Sequence, residues 1–305
     1  MSYEKQKKSR TRIVQIFFAM FLVLLVQLPV EAKAATDVNK SFEEVVIVKT
    51  EVGTKCGNFG CIALDGKGGL YALKTDTEST PNYSILYYFK DYRNYKTTRS
   101  CKKYRVNQSL GHGNGMTYRD GKLYVAAGKK IMKMSTEGIV EKTYTLDMNG
   151  LSVGLDNTSI SASSITYYKS DTYIVGIGKI GSDGEKKNIY VIGKFEGSQF
   201  KVTSSFIVNA GDGYKLNQDI CYGKGCLYIV TSNNDVENKI LCIKKFEGTV
   251  TPSQIITIEK PKQSMDNNAL KGKFEAEGIA IESDGTILIG ANCTTINDGV
   301  FISSN

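Results

Sequence analysis

The feature that most constrains this chain is a hairpin that returns five times. From Gly111 to Gly128 the sequence G-H-G-N-G-M-T-Y-R-D-G-K-L-Y-V-A-A-G reads as a strand (Met116–Tyr118), a turn on Asp120-Gly121 and a second strand (Leu123–Ala127). An Asp-Gly pair between apolar runs is the strongest short-range hairpin signal. Ile62-Ala63-Leu64 precedes Leu70-Tyr71-Ala72, and Ile165-Thr166-Tyr167 precedes Thr172-Tyr173-Ile174. Ile220-Cys221-Tyr222 precedes Leu227-Tyr228-Ile229, and Ile279-Ala280-Ile281 precedes Ile287-Leu288-Ile289. The second strands begin 49 to 60 residues apart. A period of that size signals a repeat architecture.

Each copy continues into a third apolar strand: Ile85–Phe89, Ile131–Met134, Ile189–Ile192, Ile240–Ile243 and Val300–Ile302. A fourth follows in the first four copies: Lys103–Val106, Thr143–Asp147, Val202–Val208 and Gln254–Glu259. The last copy lacks one, while Phe42–Lys49 (F-E-E-V-V-I-V-K) stands unclaimed near the start. Four-stranded sheets repeated around an axis make a β-propeller. The expected fold is therefore all-β, a five-bladed β-propeller whose ring is closed by the N-terminal strand, which removes open edges. Within each first strand a small residue sits between bulkier neighbours: Ala63, Thr117, Thr166, Cys221 and Ala280. A period of two puts that set on one face, where the innermost strands would crowd the axis.

Residues 1–34 read as a signal peptide. Lys5, Lys7, Lys8, Arg10 and Arg12 precede eleven uninterrupted apolar residues, Ile16–Val26, and Ala32-Lys33-Ala34 offers a cleavage site. The alternative is an uncleaved anchor over Ile13–Val30, the one route by which the chain would engage a membrane. The domain is expected over 35–305, exported, secreted or held at the cell surface. The first 34 residues carry six basic and two acidic side chains, half of the chain's net charge of +8. The mildly basic remainder has no nucleic-acid motif, so nucleic acid is not an expected partner.

All seven cysteines (Cys56, Cys61, Cys101, Cys221, Cys226, Cys242 and Cys293) lie beyond the leader. Cys56/Cys61 and Cys221/Cys226 have local spacings that permit disulfides without requiring them. A tetrahedral zinc site would need two such pairs brought together, and these lie in copies that are not neighbours. The run Lys90–Arg105 (K-D-Y-R-N-Y-K-T-T-R-S-C-K-K-Y-R) is the densest basic stretch, interleaved with Tyr92, Tyr95 and Tyr104. It reads either as a patch for an anionic polymer or stacked sugars, or as a solvated outer loop.

Chemistry in such a ring sits where the first strands begin. The residue pairs there are Gly60-Cys61, Asn114-Gly115, Ser163-Ser164, Gln218-Asp219 and Glu277-Gly278, with His112 and Glu275 two residues further back in two of them. Asn114, His112, Ser163, Gln218, Asp219, Glu275 and Glu277 are the expected ligand-binding residues. A ring of such oxygens suits calcium, with Asn114, Asp219 and Glu277 as ligands, and it equally suits the hydroxyls of a sugar. Were the protein a glycosidase or esterase, Asp219 and Glu277 would be its catalytic carboxylates. His112 is the only histidine, and no nucleophile motif accompanies it.

At G-H-G-N-G-M-T-Y…G-K-L-Y-V-A and F-E-A-E-G-I-A-I-E-S-D-G the chain resembles secreted bacterial β-propeller proteins. These form the loose group that includes helveticin-like and teichoic-acid-biosynthesis-like propellers and, more distantly, calcium-dependent esterase-like propellers. The resemblance covers about residues 56–304 and implies that Glu277 and Asn114 face the channel. Copies two and three offer Asn and Ser where enzyme-like members hold acids, which weighs against metal-dependent hydrolysis. The expected role is binding of a carbohydrate or cell-envelope ligand, a glycan or cell-wall polymer, at the channel mouth. Hydrolysis by channel carboxylates and a scaffold for a protein partner are the alternatives.

Overall fold

In all five copies the apolar runs become strands that pair as an antiparallel meander. A computed structural model describes residues 35–50, 56–75, 83–108, 110–111, 113, 115–149, 160–178, 188–209, 216–232, 237–270, 272–293 and 297–304. Residues 1–34, read above as a leader, lie outside the described residues, as do His112 and Asn114. Among the described residues the regular secondary structure is nearly all strand.

The first sheet runs β2 (Asn58–Leu64), β3 (Leu70–Thr75), β4 (Ser84–Phe89) and β5 (Lys102–Val106). The second runs β6 (Gly115–Arg119), β7 (Lys122–Ala127), β8 (Lys130–Ser135) and β9 (Val140–Asp147). The third is β10 (Ser161–Lys169), β11 (Thr172–Gly178), β12 (Asn188–Glu196) and β13 (Gln199–Val208). The fourth is β14 (Leu216–Gly223), β15 (Cys226–Ser232), β16 (Asn238–Ile243) and β18 (Gln254–Glu259), with β17 (Gly248–Val250) lying against β13. The fifth has β19 (Phe274–Ile281), β20 (Ile287–Cys293) and β21 (Asp298–Ser303), and its fourth strand is β1 (Thr36–Val48).

The turns follow from local chemistry. Arg119 pairs with Lys122, which leaves Asp120 and Gly121 as a two-residue loop, both with positive φ (49° and 75°). That is the turn whose twist matches the flanking strands, and glycine meets its demand without strain. Ser170-Asp171 and Lys224-Gly225 repeat the conformation. In the first copy Asp65 holds a longer loop by accepting from the backbone N–H of Lys67 and Gly69.

Phe42–Val48 pairs antiparallel with Asp298–Ser303, the place expected for the unclaimed strand. The sequence did not suggest the rest of β1. Thr36–Ser41 runs parallel to Gln254–Glu259, so one strand bridges the fourth and fifth sheets. Val46, Ile47 and Val48 are buried, each such side chain contributing about 1.5–3 kcal/mol.

Five apolar clusters form the core, and each joins two sheets. Leu73, Met116 and Leu123 join the first and second, and Ile131, Ile165 and Val175 the second and third. Ile174, Phe206 and Leu241 join the third and fourth, and Val230, Ile256 and Phe274 the fourth and fifth. Val46, Ile62, Tyr87 and Leu288 join the fifth back to the first. The first strands β2, β6, β10, β14 and β19 neighbour one another in the same cyclic order. A cavity of about 160 Å³ runs between all five of them, lined in part by Ala63, Thr117, Thr166, Cys221 and Ala280.

These small residues are cross-braces as well as spacers. Thr117 Oγ1 accepts from Tyr167 N (3.2 Å) and Thr166 Oγ1 from Tyr222 N (3.0 Å). The Ile281 N–H lies in the same way against the Cys221 sulfur. A first strand whose outer face is committed to its own sheet thus finds a partner for its inner amide on the next sheet.

Candidate functional site

At the start of four of the five first strands, all but β6, the ladder slips. The register shifts between Phe59 and Cys61 in β2, between Ala162 and Ser164 in β10, between Asn217 and Ile220 in β14 and between Ala276 and Gly278 in β19. The inserted residues are Gly60, Ser163, Gln218-Asp219 and Glu277. A bulge re-aims a side chain out of the pleat, so one device presents the residues that the sequence singled out. The strands nearly touch here. A Cβ on Gly115 would lie 2.4 Å from the Ser164 Cα, and one on Gly278 would lie 2.9 Å from the Ile62 N.

Asp219 is fully buried. Its Oδ1 accepts from Ile220 N (2.7 Å) and its Oδ2 from Ile279 N (3.3 Å), tying β14 to β19. Burial pushes its carboxyl well above the usual range; the two N–H groups pull the other way, and Glu277 adds to the rise. Cys61 lies in the same environment. Burial, then Asp219, then Glu277 push its thiol up, which leaves it without nucleophilic character.

Glu277 is buried too, but its surroundings are side chains rather than backbone. Its Oε1 accepts from Asn292 Nδ2 at 2.8 Å. Burial comes first in raising its carboxyl, followed by the charge of Glu275 and a hydrogen bond with it; Asn292 and Lys273 oppose the rise. Lys273 forms an ion pair with Glu275. Burial and the neighbouring Glu275 thus favour the protonated form of Glu277, because two carboxyls this close cannot both ionise cheaply.

Asn292 was missed by the sequence reading. Its Oδ1 accepts from Phe59 N (2.9 Å), and its Nδ2 also reaches Asn58 Oδ1 (3.3 Å). It therefore fixes Glu277 and fastens the fifth sheet to the first. The signal was available: an Asn inside the apolar run I-L-I-G-A-N-C must find partners if the strand is buried. Asn238 plays a similar part, donating to Phe274 O (2.8 Å) and accepting from Ala276 N (2.9 Å).

The other expected residues are placed as follows. Ser163 is half-buried and donates to Gly176 O (3.1 Å), and Gln218 is buried. His112 and Asn114 lie outside the described residues. Among the described residues no three His, Cys, Asp or Glu side chains group as a metal site. Of the three residues expected to hold calcium, Asn114 lies outside the described residues, Asp219 has both oxygens on backbone N–H groups, and Glu277 accepts from Asn292. Cys61, Cys221, Cys226, Cys242 and Cys293 are free thiols. Two of the three tyrosines of Lys90–Arg105 are no stacking platform: Tyr92 and Tyr95 are buried, and Tyr95 donates to Ile47 O (3.2 Å) from a short helix, Tyr95–Thr98. A cavity of about 840 Å³ lies at the far ends of β2 and β19, against Tyr92, Arg93, Glu282 and Asp284, away from the bulges.

No family model matches the chain, and no curated protein does. Among solved structures it is similar to an α-L-arabinofuranosidase from Podospora anserina in complex with cellotriose (9% identity, 88% of this chain, 96% of that one, TM-score 0.49). It is similar to a xylan β-1,4-xylosidase from Bacillus halodurans (11%, 83% of this chain, 54% of that one, 0.48). It is also similar to the Pan2 WD40 domain of Neurospora crassa (8%, 89% and 98%, 0.43). At such identities and TM-scores none of these likenesses bears on what this chain does.

Proposed function

We propose that residues 35–305 are the five blades of a closed β-propeller, exported by the leader, that binds a neutral carbohydrate where the first strands begin. One observation carries the reading: the bulged rim offers hydrogen-bonding groups without net charge. Glu277 holds its proton, Gln218 and Ser163 are neutral, and the Glu275 carboxylate is offset by Lys273. Sugar hydroxyls need paired donors and acceptors of this kind, whereas a hard cation needs carboxylates.

A second reading has a specific observation behind it. An acid kept protonated near neutral pH by burial is in the state that a glycosidase needs to protonate a leaving oxygen. Glu277 would then be the acid, Asn292 and Glu275 its positioning residues. Asp219, closed off and bonded through both oxygens, supplies no base in this arrangement.

Glu277→Gln and Glu277→Ala test both. Measured by calorimetry against a panel of neutral glycans, a binding rim keeps its affinity within about threefold in Glu277→Gln, whose amide still donates and accepts, and loses at least tenfold in Glu277→Ala. A hydrolase keeps its binding in Glu277→Gln and loses turnover. Unchanged affinity in Glu277→Ala together with no turnover in the parent would overturn the assignment of this rim.

A further inference from the structure

We propose that the outer edge of the first sheet is a second binding site, one for a linear phosphodiester polymer that carries no bases. The site stands apart from the bulged rim and does not depend on what binds there.

Three observations support it. First, β5 ends its sheet, and no described strand pairs with its outer side. The outermost strands of the other sheets are met by a neighbour: β9 by β13 and β18 by β1. A bare edge exposes backbone N–H groups, which are anion donors when cations flank them.

Second, the cations flank them. Lys102, Lys103 and Arg105 are exposed on β5, and Lys90 and Lys96 are exposed on the connection leading into it. Lys90, Lys96, Lys102 and Arg105 make no ion pair among the described residues, whereas Arg93 and Arg99 are paired with Glu282 and Asp266. The one acid of the run, Asp91, accepts from Asn94. Lys103 and Arg105 share a face about 7 Å apart along the strand, a spacing comparable with that of successive phosphates in an extended diester chain.

Third, the aromatic faces are already covered. Arg105 lies 4.3 Å over the Tyr83 ring and Lys103 5.8 Å over the Tyr87 ring. Cation–π contact holds both heads in place and removes the platforms on which nucleobases would stack. The edge suits phosphates and gives bases nothing, which disfavours single-stranded nucleic acid.

The test uses the leaderless chain, 35–305, with fluorescently labelled oligo(glycerol phosphate), inorganic polyphosphate and single-stranded DNA of equal charge, titrated at several salt concentrations. The oligo(glycerol phosphate) should bind, with log affinity falling against log salt at a slope of about −2, as three neutralised phosphates require. Lys102→Glu with Arg105→Glu should weaken it at least tenfold at an unchanged melting temperature. Should that variant fail to fold, Lys102→Gln with Arg105→Gln should weaken it at least threefold. Absence of binding at low salt, unchanged affinity in the folded variant, or equal affinity for DNA would overturn the proposal. Binding of polyphosphate alone would overturn the diester assignment.

Discussion

Asp219 and Glu277 occupy matching bulges on neighbouring first strands, both buried, both raised above their usual pKa, yet the molecule employs them differently. Asp219 closes a gap in the backbone. Its two oxygens take the N–H groups of Ile220, on its own strand, and Ile279, on the next first strand. Glu277 is held by other side chains, Asn292 and Glu275, and relieves no backbone group. A buried acid that serves amides is part of the frame; one that is served by side chains has its protonation state set for something else.

Asp219→Ala should show the largest effect. It strands two buried amides at the junction of the fourth and fifth sheets, a loss of about 2–4 kcal/mol in urea unfolding. Asp219→Asn, which keeps an acceptor, should cost less than half as much. Equal losses would mean that the charge matters rather than the bonds.

Glu44 extends the comparison to the closing strand. Its Oε2 accepts from Met265 N (2.7 Å), while Oε1 is buried without a partner. Burial above all, then Asp266, raise its pKa from 4.5 to about 7, against the Met265 N–H and Arg99. The folded carboxyl holds its proton where the unfolded one has lost it. Stability from this group is therefore complete below about pH 4.5 and falls as pH rises toward 7, by on the order of 2–3 kcal/mol. Glu44→Gln should flatten that interval in denaturant titrations across pH. A slope that survives the substitution would assign the pH dependence elsewhere.

Glu277→Gln should have the smallest effect on folding, within about 1 kcal/mol, because the amide replaces a neutral acid of the same shape. A loss as large as that of Asp219→Ala would erase the distinction between the two positions.

The repeat was legible because each copy spells its own turn and alternation. Asp120-Gly121 fixes a register, and Ala63, Thr117, Thr166, Cys221 and Ala280 mark the crowded face. The positions of the site were legible as well, since polar residues ahead of buried strands stand out. Their roles were not. A bulge leaves no composition behind, so Asp219 and Glu277 read as an equivalent pair of carboxylates until the ladder showed which one serves the backbone. Asn292 and the parallel pairing of Thr36–Ser41 escaped for a related reason: both depend on strands more than 200 residues away in the chain.

The central claim is that the Glu275–Glu277 pair keeps a proton at neutral pH while Asp219 stays part of the frame. Infrared difference spectroscopy of the folded chain minus its Glu277→Gln variant at pH 7 reads this directly. A protonated carboxyl band that is present in the parent, absent from the variant and shifted by a bound glycan is the predicted result. A carboxylate band at Glu277, titrating near its ordinary value of 4.5, would contradict it.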